Sequence, residues 1–89
     1  MPEWIVQRTE TFLNCLKKQR NNHELLSELE KKLQKLEEEP LAVGGNLAGN
    51  LHGYRSTRLA RKFRLIFTID ENNKIVTLEA LDHRKDVYD

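Results

Sequence analysis

The sequence predicts an α+β fold in which two helices pack on one face of a mostly antiparallel sheet. Two observations lead to this prediction. The first half of the 89-residue chain contains leucines at helical spacing, and the second half contains three stretches with alternating apolar residues. Together with one strand at the N-terminus, they give the order β-α-α-β-β-β in a single domain, residues 1–89, with an αα-hairpin followed by a three-stranded antiparallel meander.

The N-terminal part predicts a strand followed directly by a short helix. Residues 3–8 form an apolar stretch that alternates well enough for a strand with one buried face. Thr9 follows, and its hydroxyl is suited to cap the first turn of a helix. An apolar stripe and then basic residues near the expected C-terminus support that helix. The stripe consists of Phe12, Leu13 and Leu16.

The second helix is predicted over residues 24–38. Asn21 or Asn22 can cap it, and Glu24 stands three residues after Asn21, as in a capping box. Pro40 is expected to end the helix. Five leucines define a single helix face, while Glu and Lys occupy the others. These leucines are Leu25, Leu26, Leu29, Leu33 and Leu36.

The second half predicts a loop and then three strands. Residues 40–50 hold three of the four glycines and are expected to form the loop. The strands are expected at 54–59, 63–70 and 74–81, with a turn between the last two. In the last strand, simple alternation places Val76, Leu78 and Ala80 on one face and Thr77 and Glu79 on the other.

Composition restricts the classes of function. No apolar run approaches the roughly 20 residues of a membrane helix, and no secretory signal is visible at the N-terminus. Cys15 is the single cysteine, so an internal disulfide is excluded and a cytoplasmic location is expected. No Cys or His cluster has metal-ligand spacing, so we expect no structural zinc.

Charge is distributed unevenly along this chain of net charge +1. Residues 40–69 carry five basic side chains and no acidic one, whereas the remainder carries ten basic and fourteen acidic side chains. Such asymmetry predicts a local surface that attracts anions. The basic residues are Arg55, Arg58, Arg61, Lys62 and Arg64. Four of the five are arginines, whose planar guanidinium can hold two phosphate oxygens at once.

The orientation of Arg64 follows from strand alternation. If Phe63 and Leu65 face the helices, Arg64 lies on the open side of the sheet. The simpler alternative is a solvated charged face with no ligand. The C-terminal segment adds three candidate residues: His83 could titrate near neutral pH, Arg84 could bind phosphate, and Tyr88 could exchange a proton. In the simpler alternative, His83 is a solvated side chain and Tyr88 anchors the segment on the core.

Two motifs resemble a known family. The pattern L-x-G-Y … R-L-x-x-x-F-R-L-I-F-x-I-D, from Leu51 to Asp70, and the ending D-H-R-K-D-V-Y are similar to the RelE/ParE superfamily of toxins from type II toxin–antitoxin systems. The first motif resembles the YoeB branch and the ending resembles the RelE branch. The resemblance spans nearly the whole chain and implies the microbial-RNase-like RelE fold.

The resemblance also implies an activity. RelE-like toxins are mRNA interferases: small endoribonucleases that cut mRNA on the ribosome without a metal or other cofactor, by attack of the RNA's own 2′-hydroxyl, and a cognate antitoxin protein restrains them. By this resemblance, Arg64 and Arg84 hold the scissile phosphate, Tyr88 orients the substrate, and His83 is the general acid. The neighbouring basic residues bind the RNA backbone. These are Arg55, Arg58, Arg61 and Lys62.

The chain also departs from the family pattern. The place of the glutamate base of the YoeB branch falls near Gly45, and Arg55, Thr57 and Arg58 stand in the region of the RelE lysine pair. No general base is therefore evident from the sequence. Two alternative functions remain open at this point: a ParE-like inhibitor of DNA gyrase without nuclease chemistry, and a non-toxic peptide-binding module of the same fold.

Overall fold

The computed structural model describes residues 3–46 and 53–83, which form one sheet with two helices on one of its faces. The predicted α+β class and element order are confirmed, with one additional short strand. In chain order, the elements are β1 (Ile5–Arg8), α1 (Glu10–Lys18), α2 (His23–Glu38), a 3₁₀ helix (Pro40–Ala42), β2 (Gly45–Asn46), β3 (Arg55–Leu59), β4 (Phe63–Asp70) and β5 (Ile75–His83).

The five strands form one sheet in the order β1-β5-β4-β3-β2. Strands β2 to β5 pair antiparallel, as predicted for the meander, whereas β1 pairs parallel with β5. Strand β2 was not predicted because it lies in a glycine-rich stretch and pairs only Gly45 with Ser56 and Asn46 with Arg55. Its neighbour Gly44 has a φ of +66°, a conformation that glycine adopts without a steric penalty.

Helix α1 begins where the sequence predicts. The hydroxyl of Thr9 accepts a hydrogen bond from the amide of Phe12 at 3.0 Å, which satisfies a donor that the helix itself leaves unpaired. The same hydroxyl donates to the carbonyls of Leu78 and Glu79 in β5, at 3.0 Å each. Thr9 therefore joins the first turn of α1 to the strand on which the helix packs.

Helix α2 is capped by Asn22, whose side-chain oxygen accepts from the amide of Leu25 at 3.1 Å. This distinguishes Asn22 from Asn21, and it places Leu25 rather than Glu24 three residues after the cap. The expected capping box is therefore not formed. The helix ends at Glu38, and Pro40 begins the 3₁₀ helix, where its missing amide costs no hydrogen bond.

The core lies between the helices and the sheet. From α1 and α2 it receives Phe12, Leu25, Leu29 and Leu36, all less than 9% exposed. Val43, after the 3₁₀ helix, and seven residues of the three long strands complete the core. The strand residues are Leu59, Phe63, Leu65, Phe67, Val76, Leu78 and Leu81. The opposite face of the sheet, which we call the open face, is the one on which α1 and α2 do not pack.

A β-bulge interrupts the pairing of β4 with β5. Ile66 pairs with Ala80 but the next residue, Phe67, pairs with Leu78, so Glu79 is an extra residue in β5. The bulge corrects the predicted alternation: Ala80 lies opposite Ile66 on the open face, and Leu81, which is 7% exposed, joins the core in its place. One inserted residue reverses the face of every residue that follows it.

No helix in the described part of the chain is both long enough and apolar enough to cross a membrane.

Candidate anion-binding face of the sheet

Two arginines and one aspartate form a row across the three long strands. Arg58 of β3 pairs with Arg64 of β4, and Arg64 pairs with Asp82 of β5. Directly opposed residues of antiparallel strands point to the same face, with Cβ atoms about 4.5–5.5 Å apart. Phe63 and Leu65, on either side of Arg64, are buried in the core, so the Arg58–Arg64–Asp82 row lies on the open face.

The two arginines of the row stand side by side. Like charges directly opposite each other destabilise a strand pair, because the guanidinium groups repel. Arg58 is exposed and Arg64 is partly buried, so both can be reached from solvent. Two adjacent guanidinium groups can both donate hydrogen bonds to one anion with several oxygens, such as a phosphodiester.

A second carboxylate lies further along the same face. Glu79, the bulged residue, accepts a hydrogen bond from the hydroxyl of Thr68 through Oε2 at 3.0 Å. Thr68 and Arg64 are four positions apart on β4, which corresponds to about 13 Å along a strand. Between them, Ile66 lies on the same face of the sheet but is only 6% exposed.

Arg55 lies on the helix-facing side of the sheet, away from Arg64. It pairs with the buried Phe67, and its guanidinium lies 6.0 Å from the centre of that ring. Its Nη2 donates to the carbonyls of Leu41 and Val43 at 3.2 and 3.0 Å, and its Nη1 donates to Asn46 at 3.3 Å. Arg55, which the sequence predicts to bind RNA, directs these donors to the segment that follows α2, and its contact with RNA stays a prediction.

Arg61 and Lys62 lie in the turn between β3 and β4. Both side chains are exposed, and the turn begins at Ala60, which has a φ of +56°. The turn lines a small cavity of about 110 Å³ together with Asn22 and Glu24 at the N-terminus of α2. Arg61 and Lys62 therefore lie at one end of the sheet, between Arg58 and Arg64 in the sequence. They remain candidates for contact with an RNA backbone.

His83 lies on the opposite face from Arg64. It pairs with Phe63, and the two rings meet edge to face with centroids 5.1 Å apart. His83 lines a groove of about 370 Å³ between β5 and the C-terminal part of α1, where Cys15 and Lys18 also lie. The described structure thus does not bring the imidazole together with Arg64, because the bulge shifts Asp82 to the open face and turns His83 away from it.

The remaining two predicted site residues, Arg84 and Tyr88, lie outside the described residues. The predicted convergence of Arg64 with the C-terminal segment therefore stays a prediction. Asp82 was missed by the sequence analysis, although a signal was present: Leu81 is apolar but out of phase with Val76 and Leu78. An apolar residue out of phase near the end of a strand indicates a bulge, and here it changes which residue faces Arg64.

Comparisons with known proteins identify the family. The model of the family described as the ParE toxin of type II toxin–antitoxin systems matches residues 6–88 of the chain. A protein of Methanocaldococcus jannaschii named "Putative toxin RelE4" is 37% identical over 43 residues. That match covers 48% of this chain and 46% of the archaeal protein, so it spans about half the length of that relative.

Solved structures show the same fold. The toxin–antitoxin complex RelBE2 of Mycobacterium tuberculosis contains a chain that is 32% identical, with a TM-score of 0.78 over 94% of this chain and 93% of that one. YafQ of E. coli is 15% identical, with a TM-score of 0.77 over 98% and 100% of the two chains. The chain belongs to the RelE/ParE family and is a toxin of a type II toxin–antitoxin system.

Proposed function

We propose that this toxin is an mRNA interferase, an endoribonuclease that cleaves mRNA on the ribosome, and that Arg64 and Arg58 bind the scissile phosphate. The observation that supports this proposal is the direct pairing of the two arginines on the open face of the sheet. An mRNA substrate on the ribosome implies action in the cytoplasm, and relatives that form toxin–antitoxin complexes support a cognate antitoxin as the second partner.

The chemistry of 2′-hydroxyl attack explains why two guanidinium groups are useful. The phosphorus passes through a crowded state that carries more negative charge than the ground state. Preorganised positive charge stabilises that state more than the substrate, which is the requirement for catalysis. Arg64 is held by β-pairing on both sides, with β3 and with β5, so its backbone is fixed before RNA binds.

The roles of the other candidates follow from their positions. Arg61 and Lys62, in the exposed turn beside Arg64, would contact the RNA backbone on one side of the scissile bond. Arg84 and Tyr88 retain the roles implied by the family resemblance, as a second phosphate ligand and a substrate-orienting phenol. His83 is the weakest member of the proposed catalytic set, because its side chain lies with Phe63 on the helix-facing side.

The test is to compare Arg64→Ala and Arg64→Lys with the natural protein. We expect Arg64→Ala to abolish cleavage of ribosome-bound mRNA, measured by primer extension, and to relieve growth arrest on expression. Arg64→Lys should retain only part of the activity, since lysine keeps the charge but not the bidentate fork. Arg20→Ala, at an exposed position in the turn after α1, is the charge-matched control. Full toxicity of Arg64→Ala would contradict the proposal.

A second candidate function is supported by the family model itself, which is that of the ParE toxins. A ParE-like protein would inhibit DNA gyrase and leave mRNA intact. The two candidates are separated by one pair of assays on the purified toxin: cleavage of mRNA on ribosomes and supercoiling of plasmid DNA by gyrase. Gyrase inhibition without cleavage would favour the ParE-like function, and neither activity would favour the non-toxic peptide-binding module.

A further inference from the structure

We propose that Asp82 is the general base of the cleavage reaction, the residue that accepts the proton of the attacking 2′-hydroxyl. This inference depends on the proposed endoribonuclease function and supplies the group that the sequence does not reveal. The position of the family's glutamate base falls near Gly45, which has no side chain that could accept a proton.

The register of the sheet places Asp82 beside the arginine pair. Asp82 lies directly opposite Arg64 on β5, and Arg58 lies directly opposite Arg64 on β3. Neighbouring strands are about 4.7–4.9 Å apart, so the carboxylate and two guanidinium groups are presented across roughly 10 Å of the open face. A phosphate held by the arginines would place its adjoining ribose within the reach of an aspartate side chain.

The bulge in β5 determines that Asp82 lies on the open face. Without the extra residue Glu79, continued pairing would set Leu81 opposite Arg64 and would turn Asp82 toward the core, opposite Phe63. The bulge is held from outside the sheet, because the hydroxyl of Thr9 donates to the carbonyls of Leu78 and Glu79. Bulges occur next to active sites where they redirect a side chain. Here the redirected side chain is a carboxylate, and it is placed beside an arginine.

Two other carboxylates on or beside this face accept hydrogen bonds away from the arginine pair. Glu79 accepts from Thr68, which lies about 13 Å along β4 from Arg64. Asp70, at the far end of β4, accepts from the amides of Asn72 and Asn73 and from the side chain of Asn73. Among the described residues of the strands, Asp82 is thus the carboxylate that lies beside the arginine pair, and its side chain is exposed to solvent.

The step balances without another reactant beyond water. The Asp82 carboxylate takes the proton from the 2′-hydroxyl while the 2′-oxygen forms a bond to phosphorus. The bond between phosphorus and the 5′-oxygen breaks, and its electron pair leaves with that oxygen. The leaving oxygen takes a proton from water and becomes a 5′-hydroxyl. The other product is a 2′,3′-cyclic phosphate, and Asp82 then returns its proton to solvent.

The test compares Asp82→Asn with Glu71→Gln, which removes the same charge from the exposed turn after β4. The rate of single-turnover cleavage of ribosome-bound mRNA should fall by about 10²–10⁴-fold for Asp82→Asn, the usual range for a lost general base. Glu71→Gln should cleave like the natural protein. Affinity for the same mRNA with a 2′-deoxyribose at the cleavage site should be unchanged in Asp82→Asn.

A modified substrate separates a base from an acid. When sulfur replaces the 5′-oxygen, the leaving group departs as a thiolate and needs no proton, so a defect in a general acid would be rescued. We expect the defect of Asp82→Asn to persist on this substrate. Rescue to the natural rate would overturn the assignment as base. Weakened binding of the 2′-deoxy mRNA by Asp82→Asn would also overturn it, because a base for the missing 2′-hydroxyl contributes nothing to that affinity.

Cleavage by the natural protein and by Arg64→Ala distinguishes a failure of the proposed nuclease function from a failure of the assignment of Asp82 as base. If the natural protein does not cleave mRNA, the proposed function fails and the role of Asp82 fails with it. If the natural protein cleaves, Arg64→Ala does not, and Asp82→Asn cleaves at the natural rate, then only the assignment of Asp82 is wrong.

Discussion

Asp82 stands directly opposite Arg64 because β5 contains one more residue than β4 requires. The extra residue, Glu79, reverses the alternation of the last part of β5, so that Asp82 joins the open face and Leu81 joins the core. This shift by one residue decides which polar side chains can act together. It joins a carboxylate to the arginine pair and separates His83 from it.

Thr9 is expected to stabilise both α1 and the bulge. Replacing it by valine keeps the shape but removes the acceptor for the amide of Phe12 and the donor to the carbonyls of Leu78 and Glu79. We expect a loss of about 1–2 kcal/mol in the free energy of unfolding, measured by urea denaturation. Thr11→Val, at an exposed position two residues later, should cost less than about 0.5 kcal/mol. Equal losses in the two variants would contradict the role of Thr9.

Gly44 and Gly45 offer a matched pair of substitutions. Gly44 has a φ of +66°, and a Cβ there would collide with the backbone carbonyl of Ser56, whereas a Cβ at Gly45 would meet open space. Gly44→Ala should therefore destabilise the fold by more than about 1 kcal/mol, and Gly45→Ala should be close to neutral. Thermal unfolding of both variants checks this, and a larger loss for Gly45→Ala would show that β2 is placed differently.

Arg55 and Arg58 are expected to differ in what they support. Arg55→Ala should lower the free energy of unfolding by about 1–3 kcal/mol, since it removes the donors to Leu41, Val43 and Asn46. Arg58→Ala should leave stability within about 0.5 kcal/mol, because the side chain is exposed.

For RNA binding, we expect Arg58→Ala to have the larger effect and Arg55→Ala the smaller one. Affinity for single-stranded RNA falls as the salt concentration rises, and each phosphate contact adds about 0.7 to the magnitude of the slope of log affinity against log salt concentration. If Arg58 contacts a phosphate, that magnitude should be smaller by about 0.7 in Arg58→Ala. Folded Arg55→Ala should keep the natural slope. A natural slope in Arg58→Ala would remove that residue from the interface.

Asp70 should make stability depend on pH. The side chain of Asn73 donates to its carboxylate, as do the amides of Asn73 and Asn72, and these hydrogen bonds lower the pKa of Asp70 below its ordinary value of 3.8. Because the folded state favours the ionised form, the stabilisation is present above that value and is lost as the pH falls through the lower, folded-state pKa. Asp70→Asn should therefore be less stable than the natural protein at about pH 7, and the difference should shrink at about pH 3. Urea denaturation at the two pH values measures it, and a constant difference would contradict the prediction.

Local signals were sufficient to predict most elements of the fold. Strand β4 was predicted with its observed bounds, and Thr9 was predicted as the cap of α1, because both depend on residues close in sequence. The parallel pairing of β1 with β5 joins residues about 70 positions apart, so no local pattern reveals it.

The site was only partly predictable for the same reason. The open-side position of Arg64 follows from simple alternation in β4 and is confirmed by its buried neighbours Phe63 and Leu65. The orientations of Asp82 and His83 depend on the bulge, which is a property of two paired strands and not of one. Arg55 obeys the alternation of β3, but its hydrogen bonds with the segment after α2 could not be read from the spacing of charges.

The chemical identity of the RNA ends shows whether the toxin cleaves by attack of the 2′-hydroxyl. The purified toxin should be incubated with ribosomes that carry a defined mRNA, and the new ends should be analysed by mass spectrometry. We expect a 2′,3′-cyclic phosphate on the upstream fragment and a 5′-hydroxyl on the downstream fragment, with neither formed by Arg64→Ala. Intact mRNA, or fragments with a 5′-phosphate, would contradict it.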